Sequence, residues 1–118
     1  MIAVSIKNKD GLGAPLDPHF GRAHAFVIAV EADGEWTVAA ELGNAAKDSP
    51  QGAGTAAAVM LSQRGVRAVI SGQFGPKAVK ALEAFNIKMW MAPEGVTARQ
   101  ALDMFREGAL REMALKVY

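Results

Sequence analysis

Apolar and polar positions alternate from the start of the chain, where Ile2, Val4 and Ile6 share one side of a stretch with the two-residue period of a strand. Turn-forming residues take over from Asn8 to Arg22, and Gly11, Gly13, Pro15 and Pro18 interrupt any regular element there. A connector of that length within a small domain is often functional. His24–Ala32 is nearly all apolar, with Phe26, Ile28 and Val30 on one face, and predicts a second strand beginning at His24. Asp33–Gly34 is a two-residue hairpin signal. Glu35–Leu42, carrying Trp36 and Val38, is the returning third strand.

The period then lengthens. Gly54–Arg64 predicts an alanine-rich helix with Ala57, Ala58 and Leu61 on one side and Gly65 as its stop. Val66–Ser71 predicts a fourth strand. Pro76–Asn86 predicts a second helix, with Pro76 in the first turn and Ala78, Val79, Leu82 and Phe85 facing inward. Ile87–Met91 predicts a fifth strand, on which Met89 and Met91 share a face as packing residues. Thr97 is the expected N-cap of a third helix through Ala98, Ala101, Leu102 and Phe105, ended by Gly108. Leu110, Met113, Ala114 and Val117 repeat the helical spacing, so residues 109–118 are expected to form a short extra helix.

The predicted order is β-β-β-α-β-α-β-α. A hairpin supplies antiparallel pairs and right-handed crossovers supply parallel ones. The expectation is an α/β fold with a mixed five-stranded sheet and helices on both faces, a ribonuclease-H-like arrangement. With the second strand alone reversed, the Asp17–Arg22 loop and the starts of the three helices gather at one sheet edge. That edge lies at the carboxyl ends of the parallel strands, where open α/β sheets bind ligands.

Composition narrows the chemistry. The 118 residues suit one domain, and 51% apolar content supports an ordinary core. A net charge of +1, from 13 basic and 12 acidic residues, gives no nucleic-acid footprint. Cysteine is absent, which excludes disulfides, thiol catalysis, zinc fingers and thiolate-held iron–sulfur centres. No apolar run reaches the ~20 residues of a membrane helix. Together with an N-terminus that reads as a strand, this leads us to expect a cytoplasmic protein without membrane attachment. A two-metal nuclease needs several carboxylates on the sheet, and the strands carry only Glu31, Glu35 and Glu41, all at or near the hairpin. Ser49, Ser62 and Ser71 lack a nucleophile-elbow setting, and no G-x-x-x-x-G-K-[ST] phosphate loop exists.

What remains is a set of loops. Asp17–Pro18–His19–Phe20–Gly21–Arg22 stands with two glycine loops, Gln51–Gly52–Ala53–Gly54–Thr55 and Ser71–Gly72–Gln73–Phe74–Gly75–Pro76, that lead into helices. Glycine allows close backbone approach, and helix starts offer unpaired N–H groups to an anion. His19 is either a turn residue or a donor and ligand to a bound anion or metal. Arg22 either pairs with Asp17 or neutralises an anion. Phe20 and Phe74 are core plugs or ligand walls. Lys77 stands in a helix first turn, against the dipole, a placement that a bound anion would explain.

These motifs resemble the nitrogenase iron–molybdenum-cofactor accessory domain family, as does the Phe105–Arg106–Glu107–Gly108–Ala109–Leu110 segment. The resemblance runs from Met1 to about Leu110. It implies a ribonuclease-H-like domain that binds or carries a metal cluster and is not an enzyme. The chain is most similar to the free-standing, cysteine-free form of the family in sulfate-reducing bacteria. That form implies a molybdenum–copper–sulfide cluster held without covalent protein ligands. The iron–molybdenum cofactor or its precursor is the alternative cargo. The resemblance carries over His19, Arg22, Gly54, Gly72 and Gly75 as cluster-binding positions, with His19 as the metal contact. Thr55, Phe74 and Lys77 join them by location. Two further readings are a regulatory interaction domain working with an ATPase or assembly-factor partner, and a small-anion or nucleotide binder.

Overall fold

The computed structural model describes residues 1–49 and 51–113. Strand β1 (Ile2–Ile6) leads through a single 3-10 turn at Gly11–Gly13 to a hairpin of β2 (Ala25–Ala32) and β3 (Glu35–Gly43). Then follow α1 (Ala53–Gln63), β4 (Ala68–Ser71), α2 (Pro76–Ala84), β5 (Lys88–Met91), α3 (Ala98–Arg106) and β6 (Arg111–Met113). The six strands form one mixed sheet in the order β3-β2-β1-β4-β5-β6. β1 pairs antiparallel with β2 and parallel with β4; β4 and β5 are parallel, and β6 is antiparallel to β5. β1, β3, β4 and β5 therefore share a direction.

The hairpin forms where Asp33 (φ 52°) and Gly34 (φ 80°) both take positive φ, which a tight two-residue turn requires. Its register shifts between Ile28 and Ala29, an irregularity that adds local twist. One face of the sheet buries Ala3, Phe26, Ile28 and Val69 against Ala57, Ala58 and Leu61 of α1 and Ala78, Val79 and Leu82 of α2. The other buries Val4, Ile6, Val27 and Ile70 against Ala98, Ala101 and Leu102 of α3. Helices thus cover both faces.

Three expectations need correction. The sheet has six strands rather than five, because residues 111–113 extend along β5 instead of coiling into a helix. Gly108 (φ 74°) reverses the chain after α3, and Met113 then lies opposite Met89. Three residues are too few for the helical period at Leu110 and Met113 to be told from a strand. The rest of that expected helix, residues 114–118, lies outside the described residues. Phe85 does not face inward: α2 ends at Ala84, the chain turns through Asn86 (φ 59°), and Phe85 is 42% exposed. His24 precedes β2 rather than opening it and is exposed, 3.3 Å from Lys47 through Nδ1.

Candidate functional site

Two helices begin on glycine at the same end of the sheet. Gly52, the N-cap of α1, has φ 78°, a conformation that favours glycine. Gly75, the N-cap of α2, is extended and is followed by Pro76 at the first helical position. Glycine has no side chain to accept from the first-turn N–H groups, and neither start carries a side-chain cap or an acidic first-turn residue. The contrast is α3, where Thr97 and Gln100 close a full capping box. Among the described helices, the lack of a side-chain cap is therefore a property of these two starts and is not shared by α3.

Close backbone approaches draw the pieces together. A Cβ on Gly54 would lie 2.9 Å from Ala78 Cβ, so α1 and α2 touch at their first turns. One on Gly21 would lie 2.8 Å from Gly54 N, which seats the loop before β2 directly on α1. One on Gly72 would lie 2.7 Å from Pro18 Cα. At these three positions glycine serves protein-to-protein contact. The same loops are laced by backbone bonds, Gln73 N–H donating to the Pro18 carbonyl at 2.8 Å and Phe20 N–H to the Gln73 carbonyl at 3.3 Å. Phe20 is buried and packs its ring 5.3 Å from Phe74 and 5.4 Å from Phe26.

Between these segments lies a cavity of about 750 Å³. His19, Arg22 and Lys77 bring positive or ionisable groups to its lining, Gln51 and Gln73 bring amides, and Phe20 and Phe74, both buried in the core, border it with apolar residues. None of the described lining residues is acidic. Asp17 Oδ1 accepts from the His19 N–H at 3.0 Å and lies 3.7 Å from His19 Nδ1, while the imidazole stays largely exposed. Arg22 does not pair with Asp17. It donates to the Lys47 carbonyl at 2.8 Å and the Ser49 carbonyl at 2.7 Å. The same loop is held by Asn44, whose Nδ2 donates to the Gly21 and Ala23 carbonyls at 3.0 Å each.

Of the residues singled out from the sequence, His19, Arg22, Gly54, Phe74, Gly75 and Lys77 line this cavity. Thr55 and Gly72 do not: Thr55 is exposed on the first turn of α1, and Gly72 lies under Pro18. Gln51, Gly52, Ala53, Gln73, Pro76 and Ala78 line it without having been selected. A signal for the two glutamines existed, since each closes a loop one or two residues before a glycine N-cap. Among the described residues no group of three or more His, Cys, Asp or Glu is placed to hold a metal ion. Such a donor set suits an anion that brings its own ligands better than a bare cation.

The family model described as dinitrogenase iron-molybdenum cofactor matches residues 1–108. The chain belongs to that family. Solved structures share its fold: the apo orange protein of Desulfovibrio gigas superposes with a TM-score of 0.85 at 37% identity, over 96% of this chain and 92% of that one. A Thermotoga protein provisionally assigned as NifB superposes with a TM-score of 0.79 at 28% identity, over 99% of this chain and 96% of that one. An uncharacterized protein of Methanocaldococcus jannaschii is 31% identical over 97 residues, 82% of this chain and 81% of its own length. This member of the dinitrogenase iron-molybdenum cofactor family has no cysteine, so any cluster it holds is held by other groups.

Proposed function

We propose that this protein binds or carries a preformed anionic metal–sulfide cluster of the molybdenum–copper type, without cysteine ligands and without catalysing a reaction. The observation that carries the reading is the convergence of two helix starts without side-chain caps on one basic cavity with no acid among its described lining residues. Thiomolybdate units bring their own sulfur ligands and negative charge. The protein then has only to supply N–H donors, cations and a wall that excludes water. Backbone N–H groups at Ala53, Gly54, Lys77 and Ala78 and the two helix dipoles supply the first. Arg22 and Lys77 supply charge, and Phe20 with Phe74 supplies the wall, which lowers the local dielectric and strengthens each contact. Thr55 adds an N–H from the same first turn, and Gly72 acts indirectly by letting Pro18 close over it. His19 offers a ring nitrogen as donor or as the single direct metal contact.

Similarity to the orange protein supports this cargo. The family description supports the iron–molybdenum cofactor or its precursor as the alternative. Cluster handling by a non-enzymatic carrier calls for a delivering or receiving protein, an ATPase or assembly factor in the second reading. The strand order β3-β2-β1-β4-β5, with β2 alone reversed among those five, supports a ribonuclease-H-like arrangement to which β6 is added. With no helix among the described residues able to cross a membrane, we place the carrier in the cytoplasm.

The test is anaerobic reconstitution with tetrathiomolybdate and copper, followed by desalting, metal analysis and a visible spectrum. Retained molybdenum and copper with a sulfide-to-metal charge-transfer band is the expected result. A colourless, metal-free protein would turn the reading to the interaction domain.

A further inference from the structure

Two serines stand where the sheet core is otherwise apolar. Ser5, near the end of β1, and Ser71, the last residue of β4, are both fully buried. The parallel register that pairs Val4 with Ile70 brings them side by side, and their Oγ atoms lie 2.8 Å apart. Both reach the Asp17 carbonyl, Ser5 Oγ at 2.7 Å and Ser71 Oγ at 3.3 Å. Asp17 N–H in turn donates to the Ser5 carbonyl at 2.8 Å. With one proton apiece, one hydroxyl can donate to the other while that one donates to the Asp17 carbonyl, and Ser5 Oγ also lies 3.4 Å from the Ile70 carbonyl. Burying two hydroxyls costs free energy unless they are bonded, and an apolar pair would pack a sheet equally well. Their partner is the main chain of the residue that opens the His19–Arg22 loop.

We propose that Ser5 and Ser71 are positioning residues of the cargo site, a buried two-hydroxyl clamp that fixes Asp17 and thereby sets the loop against the two helix starts. Asp17 passes the constraint on: its carboxylate accepts from the His19 N–H, and Pro18 and Phe20, just beyond it, carry the backbone bonds to Gln73. Without the hydroxyls, Asp17 keeps its main-chain bond to the Ser5 carbonyl but its own carbonyl loses both side-chain donors, and the connector is held less firmly before the cavity. This deepens the proposed cargo reading and rests on it only where bound metal is measured.

The first arm uses protein without metal. Amide hydrogen exchange is compared residue by residue in the wild type, Ser5→Ala and Ser71→Ala. The clamp predicts at least tenfold faster exchange at Asp17, His19, Phe20 and Gln73, with Ala101 and Leu102 of α3 unchanged. Uniform acceleration across the molecule, or no change in the loop, overturns it in favour of an ordinary packing role. Should Ser5→Ala fail to fold, Ser71→Ala, which removes the 3.3 Å contact to Asp17 and the bond between the hydroxyls, carries the comparison alone. The second arm measures loss of molybdenum from reconstituted protein during dialysis, well below the unfolding temperature. At least tenfold faster loss from Ser5→Ala is expected, and equal rates overturn the clamp's link to the cargo. A wild type that takes up no metal refutes the cargo reading, and the exchange arm still decides the clamp.

Discussion

Glycines at the cavity divide into two kinds, and substitution separates them. Gly72 has no room for a methyl group, because Pro18 stands 2.7 Å from where its Cβ would be. Gly72→Ala should destabilise the protein by about 1–3 kcal/mol through forced displacement of that loop, read as a lower urea midpoint. Gly75 is the opposite case: its φ of −70° accepts any residue, and a Cβ there would meet nothing within 4 Å. Gly75→Asp supplies the missing cap and opposes the positive end of the dipole, so the metal-free protein should gain roughly 0.3–1 kcal/mol. The same carboxylate would occupy the donors and repel an anion, so metal retention should collapse as the melting temperature rises. A variant that both gains stability and keeps its metal would remove the α2 start from the site. Arg22→Ala tests the cation beside it. Its bonds are exposed, so stability should change little while retained molybdenum falls, and unchanged retention would relieve Arg22 of the role.

The elements owe their positions to signals of unequal strength. The hairpin was readable because Asp33–Gly34 names its own turn geometry, and α3 because Thr97 stands as N-cap before a run at helical spacing, where the structure adds Gln100 to complete a capping box. That box predicts a local result. Thr97→Ala should cost about 1 kcal/mol, a fall in melting temperature of roughly 4–8 °C for a domain near this size. Because α3 packs on the sheet face opposite α1 and α2, metal retention should be untouched. Phe85 and residues 111–113 misled the periodic reading for a shared reason. Each lies just past a helix end beside a left-handed residue, Asn86 after Phe85 and Gly108 before residues 111–113, where the chain leaves the helical phase. At the site, the helix starts were visible in sequence, but the uses of Gly54 and Gly72 were not. Their partners, Ala78 and Pro18, are distant along the chain, and nothing local announces a contact of that kind. Arg22's grip on the Lys47 and Ser49 carbonyls was hidden likewise, since backbone acceptors carry no residue code.

Across the whole molecule, one sheet sorts structure from site. Its two faces bury separate clusters, and the ends of β1 and β4 hold the clamp on the loop that meets α1 and α2. Charge is nearly balanced overall, +1, yet the described cavity lining has cations and no acids. On the proposed reading, selectivity for anions comes from placement rather than from net charge. The most direct test of that claim is an NMR titration of ¹⁵N-labelled metal-free protein with tetrathiomolybdate, following every backbone amide. The predicted shifts concentrate on Gly52–Thr55, on Gly75 with Lys77 and Ala78, and on His19 and Arg22, leaving α3 and the hairpin still. Shifts centred on α3 or spread evenly over the surface, or none at all, would contradict an anion site at the paired helix starts.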